Sequence, residues 1–173
     1  EHISLLEFEN IRNRLILLDG WSKTYAMTGW RLGYALWPEK LVDHATRLAI
    51  NCHSCVNSAT QFAGIAALEG PQDSVTGMVN SFNERRSIIV DGLNNISGFS
   101  CRMPKGAFYA FANISDTGIK SKEMQDILLE KAGVATVAGT SFGNMGEGYI
   151  RFSYANSVEN IRRALVNVDN ILK

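Results

Sequence analysis

The stretch Gly20-Trp-Ser-Lys-Thr-Tyr-Ala-Met-Thr-Gly-Trp-Arg-Leu-Gly33 sets Lys23 and Arg31 eight residues apart among small and aromatic side chains. It follows the apolar run Arg14-Leu-Ile-Leu-Leu-Asp19, which reads as a strand buried on both faces. Arg31-Leu-Gly-Tyr-Ala-Leu-Trp37, stopped by Pro38, reads as a second strand, so the loop carrying Lys23 is a hairpin-like excursion between the two. A lysine is a good nucleophile only as the neutral amine, which needs burial or nearby positive charge to bring its pKa below about 10.4. A guanidinium returning at Arg31 supplies such charge, and an anion beside it offsets the cost of burying it. Phosphate fits, because arginine grips it with two parallel hydrogen bonds. On spacing alone, two solvated loop charges remain the commoner explanation.

Composition narrows the classes. The chain has 173 residues, 46% apolar and 20% charged, which is a globular composition with room for one domain or two smaller units. Seventeen basic and seventeen acidic side chains cancel, so no overall field draws it to nucleic acid or an anionic membrane, and a small-molecule or protein partner is favoured. The longest apolar run, Ala107 to Ala112, is far short of the roughly 20 residues of a spanning helix. Three cysteines, an odd number, argue against a disulfide framework and for a reducing, cytoplasmic setting. The chain opens on Glu1, and its first strand has no earlier strand to pair with, so a fragment of a longer protein is expected.

Pro38 stands where helices begin, and Leu41, Val42, Ala45, Leu48 and Ala49 recur at helical spacing after it. A second helix is expected over 57–69, with Phe62, Ile65, Ala66 and Leu68 apolar, and a third over 72–95. Strands are expected at 99–102, 106–113, 135–138 and 148–154, and helices at 121–132 and 157–172 with Ser121 and Ser157 as capping residues. The fold class is therefore α/β: residues 1–70 as the tail of a sheet layer, and residues 71–173 as an α+β domain, divided at Gly70-Pro71.

The full string from Gly20 to Gly33 closely resembles the cofactor-lysine signature of the class I and II aminotransferases, pyridoxal phosphate enzymes of fold type I. Pro104-Lys-Gly-Ala-Phe-Tyr109 resembles the hairpin of that family's small domain. Val137-Ala-Gly-Thr-Ser-Phe-Gly143 resembles a later turn, and Gly148-Tyr-Ile-Arg-Phe-Ser-Tyr-Ala155 the strand that presents a carboxylate-binding arginine. The resemblance runs in order through the whole chain, as the C-terminal portion of an aspartate aminotransferase-like enzyme.

That resemblance implies a Schiff base between Lys23 and pyridoxal 5'-phosphate, with Arg31 on the phosphate. Ser22 adds a hydroxyl to the same pocket, although many relatives carry their serine three positions before the lysine, where this chain has Gly20. Arg151 matches the arginine that holds the α-carboxylate of the substrate. In an extended segment Tyr149, Arg151 and Ser153 share one face and Ile150, Phe152 and Tyr154 the other. Taken alone, Arg151 is also readable as a strand arginine paired with Glu147. Tyr109, Phe142, Trp30 and Trp37 read as core.

The implied activity is transfer of an amino group between an amino acid and a 2-oxo acid, in a homodimer. In the family the groups that tune the cofactor lie upstream of the lysine strand, so the chain alone is expected to bind it poorly and turn over little. Two alternatives keep the same site: a C–S lyase or synthase, and the cofactor-sensing domain of a regulator fused to a DNA-binding module. Cys52-His-Ser-Cys55 has zinc or redox spacing without enough further ligands, and a structural role is expected for it. Gly143 to Gly148 reads as a polar turn rather than a phosphate loop, since it opens no helix.

Overall fold

In the computed structural model, which describes residues 2–173, strands Leu17–Gly20 (β1) and Gly33–Leu36 (β2) pair antiparallel with Gly20 opposite Gly33 and Asp19 opposite Tyr34. The excursion between them is thus a true hairpin connection. Burial of β1 on both faces does not hold: Leu18 is 75% exposed, because the ribbon has two strands and the unit lays no layer across that face.

Helices Glu39–His53 (α1) and Ser58–Glu69 (α2) follow. Pro38 precedes the first turn of α1, where its missing N–H costs nothing, and the Asn57 side chain caps α2 by accepting from the Thr60 amide at 3.2 Å. The apolar positions expected to bury α2 are largely exposed, with Phe62 at 73%; the residues it buries are Thr60 and Gly64. These elements, together with the start of the long helix Asp73–Asn94 (α3), form one compact unit ending at Thr76.

The second unit, Gly77–Lys173, is built on strands Tyr109–Asn113 (β3), Val137–Ala138 (β4) and Tyr149–Ser153 (β5) in the order β3-β5-β4, all antiparallel. Helices Ser121–Ala132 (α4) and Val158–Leu172 (α5) complete it. The core joins the end of α3 to the inward faces of sheet and helices through Leu93, Ile114, Met124, Leu128, Ile150 and Val168, all fully buried. The strand expected at 99–102 is reduced to one bridge between Ser100 and Asn113.

Ser157 caps α5 as expected, accepting from the Asn160 amide at 3.2 Å. Ser121 does not cap α4. It is the first residue of that helix, fully buried, and its Oγ accepts from the amides of Gly148 at 2.8 Å and Tyr149 at 3.1 Å. A helix start and the start of β5 are tied through one hydroxyl.

Candidate active site

The loop between β1 and β2 is shaped by its own backbone. Amides of Tyr25, Ala26 and Trp30 donate to the carbonyls of Trp21, Lys23 and Met27 at 3.2, 3.2 and 3.1 Å, which winds the segment into successive turns. Met27 and Leu32 are its buried anchors. The indole Nε1 of Trp21 donates to the Gly64 carbonyl at 3.1 Å, fastening the loop to α2. Two non-glycine residues take left-handed backbone conformations here, Ala26 at φ 53° and Arg31 at φ 55°. Such conformations cost about 1 to 3 kcal/mol each and concentrate where a side chain has to be aimed.

At Arg31 that turn brings the chain back into β2, and its Nη1 donates to the Thr28 carbonyl at 2.9 Å. One terminal nitrogen is thereby anchored, while the remaining donors stay available to a ligand. Ser22, Lys23 and Arg31 line one cleft of about 430 Å³, together with Asp19, Gly20, Thr24, Leu32 and Gly33. The three residues expected at the cofactor are brought together.

At Gly20, which lines this cleft, a side chain would be tight against the facing strand. A Cβ there would stand 3.0 Å from the Leu32 carbonyl oxygen and 3.2 Å from the Gly33 Cα. The hydroxyls of this cleft come from Ser22 and Thr24. Thr24 was not singled out in the sequence, although its place next to Lys23 was a signal for it. Asp19 was also missed. Its carboxylate accepts from the Gly20 amide at 2.7 Å and from the Tyr34 hydroxyl at 3.4 Å, and burial, then the Asp19 charge, push the Tyr34 phenol up.

Trp30 and Trp37, read as core, are exposed. Cys52 and Cys55 are exposed free thiols and Cys101 a buried one, and among the described residues no cluster of His, Cys, Asp or Glu could hold a metal.

Arg151 belongs to the second unit. The expected alternation holds along β5: Ile150 and Phe152 are buried, while Tyr149, Arg151 and Ser153 face the other way. Glu147 is not its partner. That carboxylate accepts from the Ser121 amide at 2.8 Å and the Gly148 amide at 3.1 Å, and these bonds hold its pKa below the usual carboxylate range.

Instead, two rings cover the guanidinium, with its central carbon 4.2 Å from the Tyr109 ring centroid and 4.7 Å from that of Phe142. Tyr109 and Phe142 are therefore companions of Arg151 rather than core, and Phe142 is 55% exposed. For Tyr109 the strand register carried the signal, because β3 puts it with Phe111 on the face of Arg151, whereas Phe142 arrives from the turn Gly139–Phe142.

Among the described residues no helix is long and apolar enough to cross a membrane. Residues 2–168 match the family model for aminotransferase class I and II. The chain is 42% identical to the aspartate aminotransferase of Pyrococcus horikoshii, covering 100% of this chain and 44% of that protein. It is 37% identical to aromatic-amino-acid aminotransferase 2 of Thermococcus litoralis, over 100% of the chain and 45% of that protein.

Among solved structures, the aromatic aminotransferase from Pyrococcus horikoshii OT3 superposes with a TM-score of 0.96 at 35% identity, over 99% of this chain and 46% of that one. The aspartate aminotransferase from Rhizobium meliloti does so with a TM-score of 0.93 at 36% identity, over 99% and 45%. The chain spans less than half the length of these relatives. With a signature loop that joins a lysine and an arginine in one cleft, and with this fold, the chain belongs to the class I and II aminotransferases of fold type I.

Proposed function

We propose that the protein to which this chain belongs transfers an amino group between an amino acid and a 2-oxo acid with pyridoxal 5'-phosphate. The observation that carries the reading is the opening of Lys23 and Arg31 onto one cleft. The donors there suit a phosphorylated aldehyde: a primary amine for the carbonyl, a guanidinium and the Ser22 and Thr24 hydroxyls for the phosphate. In this reading residues 1–70 end the large cofactor-binding domain and residues 71–173 form the small domain of a cytoplasmic homodimer.

When bound, the cofactor serves as an electron sink for the α-carbon of the amino acid. The chain supplies position and proton traffic. Lys23 would hold the cofactor through its Nζ, and that amine, when neutral, would take the proton from the α-carbon as a general base. Arg31, steadied by the Thr28 carbonyl, holds the phosphate through its other nitrogens. Ser22 adds a hydroxyl bond.

Arg151 binds the α-carboxylate and so fixes which bond at the α-carbon is presented for proton removal, a positioning effect worth several kcal/mol. The test is amino transfer by the protein completed to the length of its relatives, assayed with dicarboxylic, aromatic and aliphatic amino donors. Turnover that vanishes in Lys23→Ala supports the reading. Undiminished turnover in that variant sinks it.

A further inference from the structure

Arg151 carries a full charge on a strand, yet among the described residues no carboxylate pairs with it and nothing accepts a hydrogen bond from its guanidinium. A half-buried arginine is ordinarily balanced by an acidic partner. Here Glu147, four residues earlier, is already taken up by the amides of Ser121 and Gly148. What faces the charge is the negative side of two aromatic rings, Tyr109 and Phe142.

We infer that Tyr109 and Phe142 are positioning residues that hold the Arg151 guanidinium as an unpaired receptor for a carboxylate. The inference rests on the reading of Arg151 as the group that binds the substrate's α-carboxylate. A carboxylate neighbour would balance the charge by occupying the same N–H donors that the substrate needs. An aromatic ring attracts the cation through its face and leaves the in-plane donors free, which is the geometry of a bidentate bond to a planar anion.

The rings are themselves held. Phe111, the register partner of Arg151 on β3, meets Phe142 edge-on at 6.2 Å and stacks on Tyr149 at 5.0 Å with 7° between planes. Phe142 ends the short turn Gly139–Phe142, and more than half of its surface is exposed, so it adds little to the core. Its ring meets Arg151 and Phe111.

The experiment uses the isotope-labelled protein completed to the length of its relatives and follows the Arg151 Nε–Hε resonance while 2-oxobutanoate is added. In the unsubstituted chain this resonance is expected upfield of solvated arginine, from the ring currents, and to move on titration. Phe142→Leu is expected to relax the upfield shift and weaken 2-oxobutanoate binding by about threefold to thirtyfold, with Phe142→Tyr restoring both.

An Arg151 resonance at the solvated position overturns the inference without any substitution. Binding in Phe142→Leu equal to that of the parent overturns it too, and leaves the role of Arg151 standing if Arg151→Gln abolishes binding on the β5 amides. Undiminished binding in Arg151→Gln overturns the carboxylate role and the inference together.

Discussion

Ser121 and Glu147 meet at the first turn of α4, where the Ser121 amide donates to Glu147 Oε1 at 2.8 Å and the Ser121 hydroxyl accepts from the neighbouring Gly148 amide at 2.8 Å. The carboxylate satisfies an N–H that the helix start leaves open, and it sits at the positive end of the helix. Two backbone bonds lower its pKa, with the Ser121 amide the larger cause.

The sign of the pH dependence follows. A depressed carboxylate pKa in the folded state contributes stability that is present above the unfolded value and is lost as pH falls through the folded one. Glu147→Gln is therefore expected to unfold more easily than the parent above about pH 5. The gap should close as pH falls through the lowered Glu147 value, read by denaturant unfolding across the acid range. A gap that stays constant down to the lowest pH contradicts this role.

Tyr154 is fully buried, and its hydroxyl donates to the Ala107 carbonyl at 2.8 Å, at a residue with φ 60°. The bond pins the segment leading into β3. Tyr154→Phe removes that bond and is expected to cost about 0.5 to 1.5 kcal/mol, since Ala107 is exposed and its carbonyl can turn to water. Equal denaturant midpoints for variant and parent would show that the bond carries no weight.

In the proposed function Arg31 holds the phosphate and not the ring of the cofactor. Arg31→Gln is expected to weaken binding of pyridoxal 5'-phosphate by about tenfold to a hundredfold, the worth of a charge-assisted bond. Binding of pyridoxal, which lacks the phosphate, should change little. Equal weakening for both ligands contradicts the assignment.

Much of this was legible in the sequence where the signal is local. The Ser157 cap and the period-2 alternation from Tyr149 to Ser153 are set by neighbours a few residues apart, and both stand in the structure. So does the hairpin-like excursion that carries Lys23 between β1 and β2.

What failed depends on groups distant in the chain. An apolar pattern in α2 says which side chains would gain from cover, but Phe62 has none within its unit. Ser121 looked like a cap, yet its hydroxyl is claimed by amides 27 and 28 residues later. The candidate site divides the same way. Lys23, Ser22 and Arg31 sit within one signature, whereas the rings of Tyr109 and Phe142 reach Arg151 only through strand register and a turn.

The central claim is that Lys23 is the cofactor's covalent anchor. The most direct measurement is borohydride reduction of the whole protein with pyridoxal 5'-phosphate, followed by mass mapping of the modified peptide. The expected result is a pyridoxyl group on Lys23, and no specific labelling in Lys23→Ala. A label on a different lysine, with Lys23 unmodified, would contradict it.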